Sequence, residues 1–195
     1  VAGLLVELGL EESYSRVHVG QGTTNRCFSF SNSKLELLWV RDEDEANNGP
    51  AHNMRFPERA EKMEASPFGL IFNRKDNSDL AMPFTGWKYQ PDYFPAPKAF
   101  HVGQNSENLT EPLCIYIPFM EPVDRKIEAG KFTAISNVHV QVPAALLSQE
   151  LLVASQSDGL TVACGDEHLM EVTFDEHGCG LSKDLRPDLP LIVHW

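Results

Sequence analysis

Basic residues are scarce: 16 Lys and Arg stand against 28 Asp and Glu in 195 residues, a net charge of −12. That balance argues against nucleic acid or an anionic membrane as the main partner, since both are held by a basic face. Long apolar runs are missing as well. None approaches the length that spans a bilayer, and nothing has the pattern of a signal peptide. No glycine-rich phosphate loop, nucleophile elbow or HExxH helix occurs, which lowers the case for kinase, hydrolase or zincin chemistry. Cysteine is limited to Cys27, Cys114, Cys164 and Cys179, widely separated and without a CxxC pair. That is not zinc-finger spacing, and buried free thiols in a reducing cytoplasm are the expected state. An initiating Met is also lacking, and Val1 falls inside a helical pattern, so the chain reads as a fragment or a trimmed piece.

What is present centres on RVHVGQGTTNRCFSFSNSKLELLWVR, Arg16 to Arg41. Thr24, Arg26, Phe28 and Phe30 share one parity, with Asn25, Cys27 and Ser29 on the other, the period-two pattern of a strand. Ser31-Asn32-Ser33 is turn chemistry, and Lys34 to Val40 reads as the returning strand of a hairpin. Glu36 shares a face there with Leu38 and Val40. A carboxylate among apolar residues needs water, a cation, a donor or a proton. It is either a rim residue or a ligand or acid/base group lining a cavity.

Val1, Leu4, Leu5 and Leu8 form the stripe of a short amphipathic helix that Gly9 is placed to end. Tyr14 to Val19 is a candidate strand. Asp42 to Glu45 is a charge run suited to a solvated loop or a helix start, and Pro57 to Ala65 a helix with Pro in its first turn. Phe68 to Asn73 and Leu113 to Phe119 read as strands. Between them, residues 79–112 carry five prolines and six aromatics without a regular period. This stretch is too aromatic for disorder, so it is expected to be an ordered arm or a structural wrap, with Trp87 or Tyr93 near a cleft.

Ile135 to Val142 sets Val138, Val140 and Val142 on one face and Asn137, His139 and Gln141 on the other. A helix over Ala144 to Ala154, a hairpin of Leu160 to Cys164 with His168 to Phe174, and a last strand Leu189 to Trp195 follow. Each half thus has a short helix and a hairpin whose second strand carries a Glu among apolar residues. Glu36 and Glu171 correspond only with a slip of one residue, which changes face.

HVGQGTTNRCFSFSNSKLELLWV, together with the ending DLRPDLPLIVHW, resembles the glyoxalase-like domains of the vicinal-oxygen-chelate superfamily. The resemblance implies an α+β fold of two βαβββ modules whose curled mixed sheets surround a shared cleft, with the first strand of the first module absent. The expected bounds are 1–75 for module one, 76–112 for the arm, 113–134 for a strand and connection, and 135–195 for module two. A divalent metal is the implied cofactor. Glu36 matches the carboxylate of the first module's last strand and is the candidate catalytic residue; His139 and His194 complete the candidate metal set. Asn137 stands where a His is usual and His194 where a Glu is usual. Candidate ligand-binding residues are His18, Gln21, Asn25, Arg26, Asn137, Gln141, Trp87 and Tyr93. His18 suits either a ligand or the backbone of its own turn.

Three readings remain open: a metal-assisted lyase, isomerase or dioxygenase acting on a small oxygenated molecule, a metal-free module that sequesters an organic ligand, and a structural or assembly protein. A small molecule is the expected partner, with a homodimer left open.

Overall fold

The computed structural model describes residues 1–74, 81–120 and 131–195. The first residues of the expected arm and much of the expected 113–134 connection lie outside the described residues. The fold is α+β, with few helices and three sheets among the described residues.

The N-terminal unit begins with α1 (Ala2–Leu8), ended by Gly9 in the left-handed conformation at φ 103°. Strands β1 (Tyr14–His18), β2 (Thr23–Ser29) and β3 (Lys34–Val40) follow as an antiparallel meander in the order β1-β2-β3. The expected hairpin is therefore present, with Cys27 opposite Glu36. Helices α2 (Glu43–Asn48) and α3 (Phe56–Glu61) come next, and Pro57 sits in the first turn of α3, where its missing N–H costs nothing.

The middle sheet holds β4 (Gly69–Asn73), β5 (Gly86–Tyr89), β6 (Phe100–Gly103) and β7 (Leu113–Ile117), in the order β4-β7-β6-β5. Two of these strands lie inside the stretch expected to lack regular structure. Both have four residues, too short for a period to stand out among prolines.

The C-terminal unit runs β8 (Ile135–Val142), α4 (Gln149–Ala154), β9 (Leu160–Cys164), β10 (Leu169–Phe174), β11 (Ser182–Asp184) and β12 (Leu191–His194). Apart from the short extra strand β11, this is a β-α-β-β-β sequence of elements. The order β11-β12-β10-β8-β9 corrects one expectation: β9 and β10 are not a hairpin, because β8 lies between them, parallel to β9 and antiparallel to β10. Helix α4 is also shorter than expected. The buried carboxylate of Glu111 accepts the Ser148 N–H at 2.7 Å, and the Ser148 side chain caps the helix, which pins its start at Gln149.

Valine parity decides how the sheets pack. Val172, Val193, Phe174 and Leu191 join α1, Phe28, Phe30 and Phe132 in one core. Val140 and Val142 join β4, β7 and α4 in a second core, and Val138 and Met170 pack against both. The turn at Asn32 ties the outer units together, donating to the Ile135 carbonyl at 2.7 Å and accepting its N–H at 3.1 Å. Of the four cysteines, Cys27 and Cys114 are buried thiols as expected, whereas Cys164 and Cys179 are exposed.

Arg59 of α3 is a buried cation without a carboxylate partner among its hydrogen bonds. Its guanidinium donates to the carbonyls of Met54, Ser66, Ser106, Asn108, Leu109 and Glu111, from 2.8 to 3.5 Å. Burial, aided by the charge of Arg55, lowers its pKa to about 10, so it stays protonated at neutral pH. Replacing it by an apolar side chain would orphan several buried acceptors at once. Arg59→Met is therefore expected to cost about 3–5 kcal/mol, read as a lower midpoint in urea. A shift under about 1 kcal/mol would show that water or other donors replace the guanidinium.

Candidate functional site

The best-formed polar constellation lies on one face of the N-terminal sheet. The register puts His18 opposite Thr23, Arg16 opposite Asn25, and Cys27 opposite Glu36, so these side chains share that face. His18, Gln21, Thr23 and Asn25 are 7%, 5%, 0% and 3% exposed.

Local sequence builds the approach to this face. Gly20 and Gly22 both adopt positive φ, 82° and 71°. A Cβ at Gly22 would stand 2.4 Å from the Ala46 nitrogen and the Asp42 carbonyl, so only glycine fits. The turn is clamped from outside by Glu45, whose carboxylate accepts the N–H of Gly20 at 2.6 Å and of Gly22 at 3.0 Å. The acidic run is thus a helix start with a purpose. Asp42 caps α2 and Glu45 faces the glycine turn.

The buried network reads as a chain. The Lys34 ammonium lies 2.9 Å from Glu36 Oε2, and Glu36 Oε1 accepts from Asn25 Nδ2 at 2.7 Å. The second hydrogen of Asn25 Nδ2 points to His18 Nε2 at 3.3 Å, while Asn25 Oδ1 accepts the Arg16 N–H at 2.8 Å. His18 Nδ1 lies 3.0 Å from Thr23 Oγ1, which also accepts from Gln21 Nε2 at 2.8 Å. This pattern suits a neutral imidazole with its hydrogen on Nδ1. Gln21 Oε1 in turn accepts from the hydroxyls of Tyr89 at 3.1 Å and Tyr93 at 3.3 Å.

Electrostatics agree with that assignment. Burial lowers the His18 pKa, partly offset by the charge of Glu36. For Glu36 burial alone would raise the pKa, but Lys34 and the Asn25 hydrogen bond outweigh it, so the carboxyl is held ionised below its ordinary value. Burial raises the Tyr93 pKa and keeps it a neutral donor. The Tyr93 ring lies 5.4 Å from the His18 ring and 5.9 Å from the Arg16 guanidinium.

This face opens on a groove of about 2560 Å³, which His18, Gln21, Asn25, Glu36, Tyr93 and Phe100 help to line. The other sequence candidates take no part in this network. Arg26 borders the same groove but lies on the opposite face of β2 and is bonded to Glu12. Trp87 donates to Ser106 Oγ at 3.1 Å and packs in the small core around Tyr89 and Val102 rather than in the groove. From β8 it is Ile135, Ser136 and Val138 that reach the groove, not Asn137, His139 or Gln141. His139 lies opposite Glu171, and His194 Nε2 is 2.8 Å from Glu171 Oε2, on the polar face of the C-terminal sheet.

The candidate metal set Glu36, His139 and His194 therefore does not converge, and no group of three or more His, Cys, Asp or Glu does so among the described residues. Glu36 Oε1 accepts from Asn25, and Oε2 is ion-paired with Lys34 but outside hydrogen-bond geometry. The residues present do not fit the implied ion at those positions. No family model, curated protein or solved structure matches the chain.

The His18 network gives a pH test. A histidine whose folded pKa lies below its unfolded value binds fewer protons folded than unfolded, so its contribution to stability falls as pH drops below the ordinary histidine value of 6.5. Glu36, with its folded pKa also lowered, adds a second loss below the ordinary glutamate value of 4.5. His18→Gln is expected to flatten the fall in Tm between pH 7 and 5 while leaving the steeper loss below pH 4.5. An unchanged slope above pH 5 would assign the first loss to another group.

Proposed function

We propose that the protein is a metal-free binding module for a small anionic aromatic molecule, held in the groove beside Tyr93. The observation that carries this reading is the state of Glu36: its charge is matched by Lys34 and its other oxygen is used by Asn25. A carboxylate already neutralised is poorly suited to capture an ion or take a proton, and well suited to hold a wall rigid. The reading is also supported by charge. The groove lining has six Lys and Arg against four Asp and Glu, within a chain of net −12. An anion entering the groove would meet Arg16 beside the Tyr93 ring, with Phe94, Phe100 and Phe119 available for an apolar body. Metal-assisted chemistry would require Glu36 to leave both of its partners.

Calorimetric titration with salicylate, with phenol as the uncharged control, tests the proposal. Salicylate should bind and phenol bind at least tenfold more weakly. Arg16→Ala should weaken salicylate by about tenfold, roughly 1.4 kcal/mol, without altering the fold. Glu36→Gln should still bind salicylate. Stoichiometric Mn²⁺ or Zn²⁺ binding that disappears in Glu36→Gln would overturn the metal-free reading, and so would equal affinity for salicylate and phenol.

A further inference from the structure

Six cations line the groove, and four of them are used inside the protein. Arg26 is bonded to Glu12, Lys34 is paired with Glu36, Arg59 donates to backbone carbonyls and Arg74 donates to the Pro118 carbonyl. The other two are Arg16 and Lys98. No carboxylate among the described residues forms an ion pair with either, and each lies instead beside aromatic rings.

The rings between these two cations form a continuous row. The Arg16 guanidinium lies 5.9 Å from the Tyr93 ring, Tyr93 is 5.1 Å from Phe94, Phe94 is 5.3 Å from Phe119, and the Lys98 ammonium is 5.7 Å from Phe119. Phe100 braces the row, with its ring 5.6 Å from Phe94 and 6.0 Å from Phe119. All of these side chains line the groove. Local sequence holds the row in place. Pro91 and Pro95 each open a turn, closed by the Phe94 N–H on the Pro91 carbonyl at 3.2 Å and the Lys98 N–H on the Pro95 carbonyl at 3.1 Å. Gln90 Nε2 donates to the Phe94 carbonyl at 3.1 Å, which fastens the first turn to the end of β5. A segment ordered in advance loses little freedom when a ligand binds.

We propose that the ligand is an elongated aromatic diacid, two rings joined by a single bond, with one carboxylate on Arg16 and the other on Lys98. This rests on the anionic-aromatic reading above and narrows it. A cation held against a ring keeps its N–H donors for a carboxylate. In a chain of net charge −12, two such cations at opposite ends of one row select for two negative charges on the ligand. A one-ring acid meets only one of them, because Tyr93, Phe94 and Phe119 stand in series between Arg16 and Lys98. The ring planes set the linkage. Tyr93 and Phe94 are inclined by 53°, and Phe94 and Phe119 by 67°, so no flat platform runs along the row. Two rings joined by a bond that turns can each take a favourable tilt against their neighbours, whereas a fused planar system cannot.

Calorimetric titration of the whole chain tests the proposal, with biphenyl para,para′-dicarboxylate, its monoacid and salicylate as probes. The diacid should bind at least tenfold more tightly than the monoacid. Arg16→Ala should weaken all three. Lys98→Ala, which removes an exposed side chain, should bring the diacid down to the level of the monoacid and weaken the monoacid far less. A fused naphthalene dicarboxylate should bind more weakly than the biphenyl diacid, and equal or tighter binding would overturn the two-ring ligand. Salicylate binding with equal affinities for diacid and monoacid would overturn this inference and leave the anionic-aromatic reading standing. So would a Lys98→Ala protein that keeps its full preference for the diacid. Binding of none of the three probes would overturn that reading and this inference with it.

Discussion

The packing of the C-terminal sheet rests on the need to bury one face of that sheet against two different cores. Val138, Val140 and Val142 alternate with Asn137, His139 and Gln141, and a strand cannot turn some of one set inward without turning all of it. The valines go in because burial of each is worth about 1.5–3 kcal/mol, and several act together across β8, β10 and β12. The polar set must then lie on the far side, out of the groove. His139 and His194 are separated from Glu36 by this constraint rather than by any feature of their own chemistry.

The same logic run on the N-terminal sheet has the opposite outcome. There Phe28, Leu35 and Leu37 take the core side, and the polar residues of β1 and β2 are left facing inward beneath Tyr89 and Tyr93. A buried polar face is tolerable only when its groups are satisfied, since an unpaired donor or acceptor costs about 1–3 kcal/mol. The chain from Lys34 through Glu36, Asn25, His18 and Thr23 to Gln21 meets that condition largely from within, as its hydrogen bonds and lowered His18 and Glu36 pKa values indicate. The result is a rigid wall. Rigidity there favours holding a ligand over moving protons, because each group is already committed to a neighbour.

Much of this architecture was legible in the sequence because it follows period two. The β2–β3 hairpin, β8 and the faces of each could be written down from parity, and Gly9, Pro57 and the Gly20–Gly22 turn marked their own positions. The pairing partners could not. Nothing in Leu160–Cys164 or Leu169–Phe174 tells that β8 slips between them, since register between distant segments is set by which apolar faces find a common core. The four-residue strands Gly86–Tyr89 and Phe100–Gly103 were hidden for another reason: a window so short holds only two residues per face. Glu36 stands out in the sequence as an anomaly, and its counter-charge, Lys34, lies two residues away on the same face of the strand. Glu45 looks in the sequence like one member of an acidic run, because its partners are backbone groups of a turn more than 20 residues earlier.

Charge gives the remaining link between fold and use. A net charge of −12 disfavours the approach of anions, and salt at physiological strength screens that repulsion only beyond about 8 Å. Within the groove the balance reverses, because the cations drawn there have structural duties: Lys34 answers Glu36, and Arg59 gathers carbonyls around α3. The fold concentrates positive side chains where its own backbone and buried carboxylate demand them. An anionic ligand entering the groove would encounter a field set up for the protein's stability before it served any partner. Any preference for such a ligand would then be a by-product of solving the internal charge balance.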